Sequence, residues 1–300
     1  MQLQHLIGDV YYVPGASNVG LVITKDGQAL LIDTGVGTRS GRRLLRILRD
    51  HNLDLAAIFN THCHGDHVGG NAFLVGQTGA RVYAPPHDAI VIEQPVWGTM
   101  CMFGGADPLA ELDTPRFAAQ GCKVDVRVSE GVVVVGGTQV QAVPLPGHTG
   151  SHTGYIIDDV FFTGDILAGE EELAQAPIAY AYSVTMRLQS LEKLRRYACA
   201  WYVLGHGKPE QDIQSLVERN IDQVSDMLAF IQAFLEHGCA DVDQIYAAVC
   251  RQYGIQVRTL KQYFLLYPTL HSYISHLSRN GDITHCFEAN RLLWCLADGR

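Results

Sequence analysis

Residues 60–70 read Asn60-Thr61-His62-Cys63-His64-Gly65-Asp66-His67-Val68-Gly69-Gly70. Three imidazoles and a carboxylate are packed into positions 62–67, and all four side chains are of metal-ligand type. The stretch follows an apolar run at 55–59 and passes into glycines. That is the pattern of a buried strand ending in a loop, where functional groups are displayed.

Four further stretches repeat the pattern. Leu31-Ile32-Asp33-Thr34-Gly35 ends one strand signal upstream. Pro146-Gly147-His148-Thr149-Gly150, Phe161-Phe162-Thr163-Gly164-Asp165 and Leu204-Gly205-His206-Gly207 end three downstream. In each, a ligand-type residue sits where a hydrophobic strand meets a glycine turn. Glycine lets the backbone turn sharply and approach another group closely, so these polar residues can converge at one edge of the sheets. Singly, a Gly-His-Gly or Gly-Asp is an ordinary turn.

Taken together and in this order, Thr-His-x-His-x-Asp-His at 61–67, His148, Asp165, His206 and the upstream Asp33 resemble the metallo-β-lactamase superfamily over roughly residues 6–210. The resemblance implies a four-layer αββα sandwich and two metals. His62, His64 and His148 would hold the first, Asp66, His67 and His206 the second, and Asp165 would bridge them. It also implies a proton-handling role for Asp66, and for Asp33 that of a carboxylate ordering the histidine loop. The chemistry is coherent by itself. Imidazole and carboxylate suit Zn²⁺, and three protein ligands per ion leave a position for water. Two cations sharing one water lower its pKa toward neutrality.

Iron is the alternative metal. The di-iron relatives carry a glutamate at the position of His64 and an added flavodoxin domain, and this chain has neither. The persulfide dioxygenases share the histidine cluster and bind a single iron. His152 is expected either behind the ligands or at the surface, in both cases without a direct role, and Cys63 is read as a packing residue. His5, His51, His87, His237, His271, His276 and His285 lack a matching context.

Composition bounds the rest. The 300 residues carry a net charge of −9, with 47% hydrophobic and 18% charged side chains, an ordinary globular balance without a broad basic surface. No apolar run approaches a bilayer span and no leader pattern opens the chain, so a cytoplasmic protein is expected. The eight cysteines are scattered without a Cys-x-x-Cys, arguing against a disulfide framework or a cysteine-built zinc ribbon.

Strand and helix signals alternate up to about residue 210. Residues 6–13 and 19–24 read as strands, 42–50 as an amphipathic helix, and 86–121 as helical pieces and loops beside the site. A catalytic domain is expected over 1–211 and a helical, winged-helix-like domain over 212–300. In the latter, helices at 242–253, 260–266 and 270–279 precede a hairpin. Residues 240–300 hold six basic and five acidic side chains, a poor match to phosphate neutralisation. A lid or homodimer contact is favoured over nucleic acid for this part.

The function expected is a zinc-dependent hydrolase of small molecules, in which a metal-bridging hydroxide attacks an ester, thioester or lactone carbonyl. A phosphodiesterase or ribonuclease on the same metals and a mono-iron persulfide dioxygenase are the other readings. The basic glutathione-binding segment of hydroxyacylglutathione hydrolase is not found downstream of His206.

Overall fold

The computed structural model describes residues 3–297. The chain opens with β1 (Gln4–Ile7), β2 (Val10–Val13), β3 (Val19–Ile23) and β4 (Ala29–Ile32), each antiparallel to the one before. Helix α1 (Gly37–Asp50) crosses to β5 (Leu55–Phe59), which lies parallel to β4. The short α2 (Gly65–Val68) and α3 (Asn71–Thr78) lead to β6 (Arg81–Ala84). Helices α4 (Asp88–Glu93) and α5 (Val96–Met102) and a 3₁₀ turn at Ala110–Leu112 precede β7 (Val126–Arg127). These seven strands form one sheet in chain order.

The second sheet runs β12-β11-β10-β9-β8 and comprises β8 (Gly131–Val135), β9 (Thr138–Pro144), β10 (Thr153–Ile157), β11 (Val160–Gly164) and β12 (Trp201–Leu204). Helices α6 (Glu170–Gln175) and α7 (Val184–Leu194) connect β11 to β12, which pair parallel.

The period of two along each strand builds the layers. Leu30 and Ile32 of β4 face inward with Ala57 and Phe59. They meet Tyr155, Ile157, Val160 and Phe162 of the second sheet in the central core. The alternate residues Ala29, Leu31 and Ile58 pack outward on Leu44, Leu45 and Leu48 of α1. Phe161, outward on β11, meets Leu191 and Leu194 of α7 and Leu216 and Val217 of the next helix. The result is a four-layer αββα sandwich. The loops that follow β4, β5, β9, β11 and β12 carry Asp33, the histidine cluster, His148, Asp165 and His206 to one edge.

Beyond it lie α8 (Gln214–Leu235), α9 (Val242–Gln252), α10 (Leu260–Arg279) and the hairpin of β13 (Ile283–Glu288) with β14 (Arg291–Leu296). Helix α8 serves two cores. Its first turns cover the second sheet, and Val224, Met227 and Ile231 join Ile245, Tyr273 and Ile274 of α9 and α10.

The expected helices at 260–266 and 270–279 are one helix that runs through Pro268. Proline removes a donor. Here the buried face Leu270-Tyr273-Ile274-Leu277 holds the rod together despite the donor missing for the Phe264 carbonyl. The single strand expected over 6–13 is a hairpin, turned at Gly8 with φ 51°. The scattered cysteines also depart from expectation, because Cys239 and Cys295 form a disulfide. Strand pairing hides this in the sequence: the Ala240–Trp294 bridge sets the two cysteines side by side across 56 residues of chain. Among the described residues no helix is long and apolar enough to cross a membrane.

Candidate metal centre

Strand β5 delivers the histidine loop, and Asp33 at the end of β4 shapes it. Asp33 sits in the left-handed region at φ 62°, a conformation aspartate tolerates better than most residues. Its Oδ1 accepts the Thr61 N–H at 2.8 Å, and its Oδ2 accepts the Thr61 hydroxyl at 2.7 Å. The same Oδ2 lies 2.9 Å from His67 Nδ1 and leaves Nε2 aimed into the site.

Two groups of ligand atoms result. Nδ1 of His64 lies 3.1 Å from His62 Nε2 and 2.9 Å from His148 Nε2. Asp66, His67 and His206 form the second group. Asp165 stands between them. Its Oδ2 is 3.7 Å from His62 Nε2, 3.5 Å from His148 Nε2 and 3.3 Å from His206 Nε2, while Oδ1 is 3.2 Å from His67 Nε2. Within each group, with Asp165 counted in the first, the ligand atoms lie within 4.8 Å of one another.

The donor set fits cations. His67 Nε2 and Asp165 Oδ1 are buried and face each other at 3.2 Å without a well-aligned hydrogen bond, an arrangement that a shared cation would satisfy better. Three imidazole nitrogens about 3 Å apart within one group need a cation more than they need protons, because like charges repel at that range. Burial and the surrounding imidazoles hold His62 and His148 well below the ordinary histidine range. For His206, burial also acts to lower the value, but Asp165 outweighs it and pushes the ring up to about 9.

All seven residues expected as ligands, and Asp33, are therefore gathered at one edge of the sandwich. Two close approaches make this geometry possible. A Cβ at Gly205 would lie 1.8 Å from Asp165 Oδ1, and one at Gly164, at φ 57°, would lie 2.5 Å from His152 Nε2.

Of the two places expected for His152, the structure takes the one behind the ligands. The residue is wholly buried, and its Nε2 accepts the Asp165 N–H at 3.1 Å. Asp88 was missed altogether. Its Oδ1 accepts the Cys63 N–H at 2.9 Å and its Oδ2 the Ser151 hydroxyl at 2.7 Å, joining the loops that carry His64 and His148. Asp88 opens a helix directly after a Pro-Pro-His turn, and only that loop position hinted at it. The fully buried Arg187 of α7 donates to the Asp165 carbonyl oxygen at 3.4 Å and to Asn220 Oδ1 at 3.3 Å. Asn220 in turn grips Ala168 through both its N–H and its carbonyl. The loop carrying Asp165 is thus tied to α7 and α8. Cys63 packs between Asp88 and the neighbouring apolar cluster and also borders the cavity.

The site opens into a cavity of about 1060 Å³. Val91, Met102 and Phe117 from the 86–121 segment form one wall, Ile178 and Tyr180 another, and Leu265 and Leu266 of α10 a third. The Tyr180 ring stacks edge-on to His64 and His148 at 5.2 and 5.3 Å. Arg116, half exposed, reaches to 3.5 Å from Asp66.

The fold and the two groups of ligand-type side chains point to one class of protein. Residues 12–206 match the metallo-beta-lactamase superfamily, and the chain belongs to it. A hydroxyacylglutathione hydrolase of Methylobacillus flagellatus is 29% identical over 201 residues, 64% of this chain and 63% of that protein. An atrochrysone carboxyl ACP thioesterase of Aspergillus fumigatus is 28% identical over 197 residues, covering 65% of this chain and 38% of its own length. The match thus spans less than two thirds of either relative. In fold, a metallo-beta-lactamase family protein of Thermus thermophilus superposes with a TM-score of 0.75 at 20% identity over 97% of this chain and 100% of its own. A beta-lactamase domain protein of Burkholderia ambifaria gives 0.78 at 17% identity, over 98% and 94%.

Proposed function

We propose that this protein hydrolyses acyl thioesters and related esters with two zinc ions. His62, His64 and His148 would hold one ion, Asp66, His67 and His206 the other, and Asp165 would contact both. The observation that carries the reading is Asp165: one carboxylate faces imidazoles of both groups, at the floor of a mainly apolar cavity. Bound there, two such ions supply a water acidified toward neutrality and polarise a carbonyl oxygen.

The chain's own residues do the rest. Asp33, His152 and Asp88 orient the ligands, because each takes up the free side of a ligand or of the loop bearing it. Asp66 borders the cavity, where its carboxylate can take up the proton released as water adds to the carbonyl and return it to the leaving thiolate. The apolar walls exclude water and receive an acyl group. Carbonyl substrates are favoured over phosphodiesters because the walls are largely apolar and Arg116, at the edge of the ligand groups, faces Asp66. The two named relatives are a thioester-type hydrolase and a thioesterase by their own descriptions, which supports the same reading.

The division into a catalytic part over 1–211 and a winged-helix-like part over 212–300 belongs to this proposal. So does a small-molecule substrate that both parts enclose. The test is a panel of acyl thioesters, lactones, aryl esters and bis-aryl phosphodiesters with the zinc-loaded protein, beside elemental analysis. Thioesters turning over fastest with close to two zinc ions per chain is the expected result. Faster phosphodiester turnover, or one iron per chain with persulfide consumption, would replace the reading.

A further inference from the structure

Far from the histidine cluster, three cysteines meet on the C-terminal hairpin. The register of β13 and β14 pairs Thr284 with Cys295 and Cys286 with Leu293, so Cys286 and Cys295 are diagonal neighbours on one face. Their sulfurs are 3.7 Å apart. On the other side of β14, the Ala240 and Trp294 backbones exchange two hydrogen bonds of 2.9 and 2.8 Å, which brings Cys239 alongside. Cys239 and Cys295 form the disulfide, and Cys286 is an exposed thiol.

The arrangement is a triangle. All three sulfurs lie within 4.8 Å of one another. A thiolate poised to attack the disulfide would stand on the extension of the S–S bond, and its distance to the far sulfur would then exceed that value. The triangle is instead the shape of three ligands around one ion. With Zn–S bonds of about 2.3 Å, tetrahedral thiolates sit roughly 3.8 Å apart. The Cys286–Cys295 separation already meets that spacing. Opening the disulfide lets Cys239 relax to it without moving the strands.

We propose that Cys239, Cys286 and Cys295, once reduced, form a second and separate metal site for a soft, thiophilic cation such as Zn²⁺. A dithiol reductant gives two electrons and two protons to Cys239–Cys295 and is itself oxidised to a disulfide. The three thiols then lose their protons to solvent as the cation binds. Exposure of Cys239 and Cys286 leaves the fourth position to water. The disulfide and the metal are alternative clasps between the start of α9 and the hairpin, selected by redox state. The spacing of 239, 286 and 295 hides the site in the sequence, because strand pairing rather than a short loop assembles it.

Cobalt tests this on the full-length chain, since thiolate ligands give Co²⁺ a near-ultraviolet charge-transfer band that histidine and carboxylate ligands do not. The metal-free protein, reduced and kept anaerobic, should develop that band on adding Co²⁺ and bind one more zinc per chain than the oxidised protein. The band should be absent from the oxidised protein, lost in Cys286→Ser and Cys286→Ala, and kept in Cys63→Ser, which alters the cysteine beside the histidines. No band in the reduced wild type, or a band that survives both Cys286 variants, overturns the proposal. So does a band lost with Cys63.

Discussion

Asp88 and Ser151 are bonded side chain to side chain at 2.7 Å, and through that bond the loops bearing His64 and His148 share one buried carboxylate. The second carboxylate oxygen takes the Cys63 N–H, next to both His62 and His64. Asp88 touches no ligand atom, yet it sets the spacing of one ligand group. In Asp88→Asn an amide nitrogen replaces one acceptor and confronts an N–H or hydroxyl donor. Outer partners of this kind are worth about 10–100-fold in metal affinity or turnover. We expect a loss in that range, read as zinc dissociation against a chelator and as kcat, with unchanged secondary structure. Wild-type affinity in the variant would show that the loops hold their places without the clasp.

Gly205 gives a sharper test of the same geometry. A methyl group there would meet Asp165 Oδ1 at 1.8 Å, far inside contact distance. Either Asp165 swings out of line with His67 and His206, or β12 shifts. Displacement of about 1 Å at a reacting centre costs on the order of 100-fold. Gly205→Ala should therefore lose roughly that factor in kcat and bind less than two metals. Full metal content with wild-type kcat would mean that Asp165 can be moved without consequence.

Metal removal should be felt by the whole fold. Without cations, His67 Nε2 and Asp165 Oδ1 stay buried with only their poorly aligned contact to each other, and the imidazoles of the first group crowd one another. A ligand at 1,000 times its Kd stabilises the folded state by about 4 kcal/mol. Treating the zinc-loaded protein with a chelator should lower Tm by several degrees, and zinc should restore it. A Tm that ignores the chelator would argue that these groups hold no ion in solution.

How much of this could be read from sequence follows from where each residue gets its meaning. The ligands were legible because each ends a buried strand at a glycine, and strand ends of one sandwich converge. The αββα layering was legible through the family resemblance that these motifs carry in their order, not from the apolar strand runs alone. His152 was not, because a histidine three residues past a turn has the same sequence context buried or exposed. Only the pairing of β9 with β10 turns it under Asp165. Asp88, Arg187 and Asn220 act across 25 to 63 residues or between helices, where no local pattern reaches. The unbroken α10 was hidden by Pro268, whose local penalty is overridden by packing along the whole helix. The disulfide was hidden because β-bridging, not cysteine spacing, brings its partners together.

That unbroken α10 bears on the substrate. Leu265 and Leu266 sit one turn before its buried face and border the same cavity as the histidines, so the C-terminal part closes the pocket that the sandwich begins. An acyl chain long enough to reach them gains about 0.8 kcal/mol for each methylene it buries. Replacing Leu266 by the bulkier tryptophan fills that end, and a long chain would lose the burial of about two methylenes. At 1.4 kcal/mol per tenfold, this predicts a rise in KM of roughly tenfold for a long-chain acyl thioester. An acetyl thioester ends short of α10 and should keep its KM, and zinc content should stay the same, since no ligand is touched. Michaelis curves for both substrates on Leu266→Trp and wild type decide the matter. A rise shared equally by both thioesters would place the acyl chain elsewhere in the cavity, and would leave α10 as a wall that the substrate does not meet.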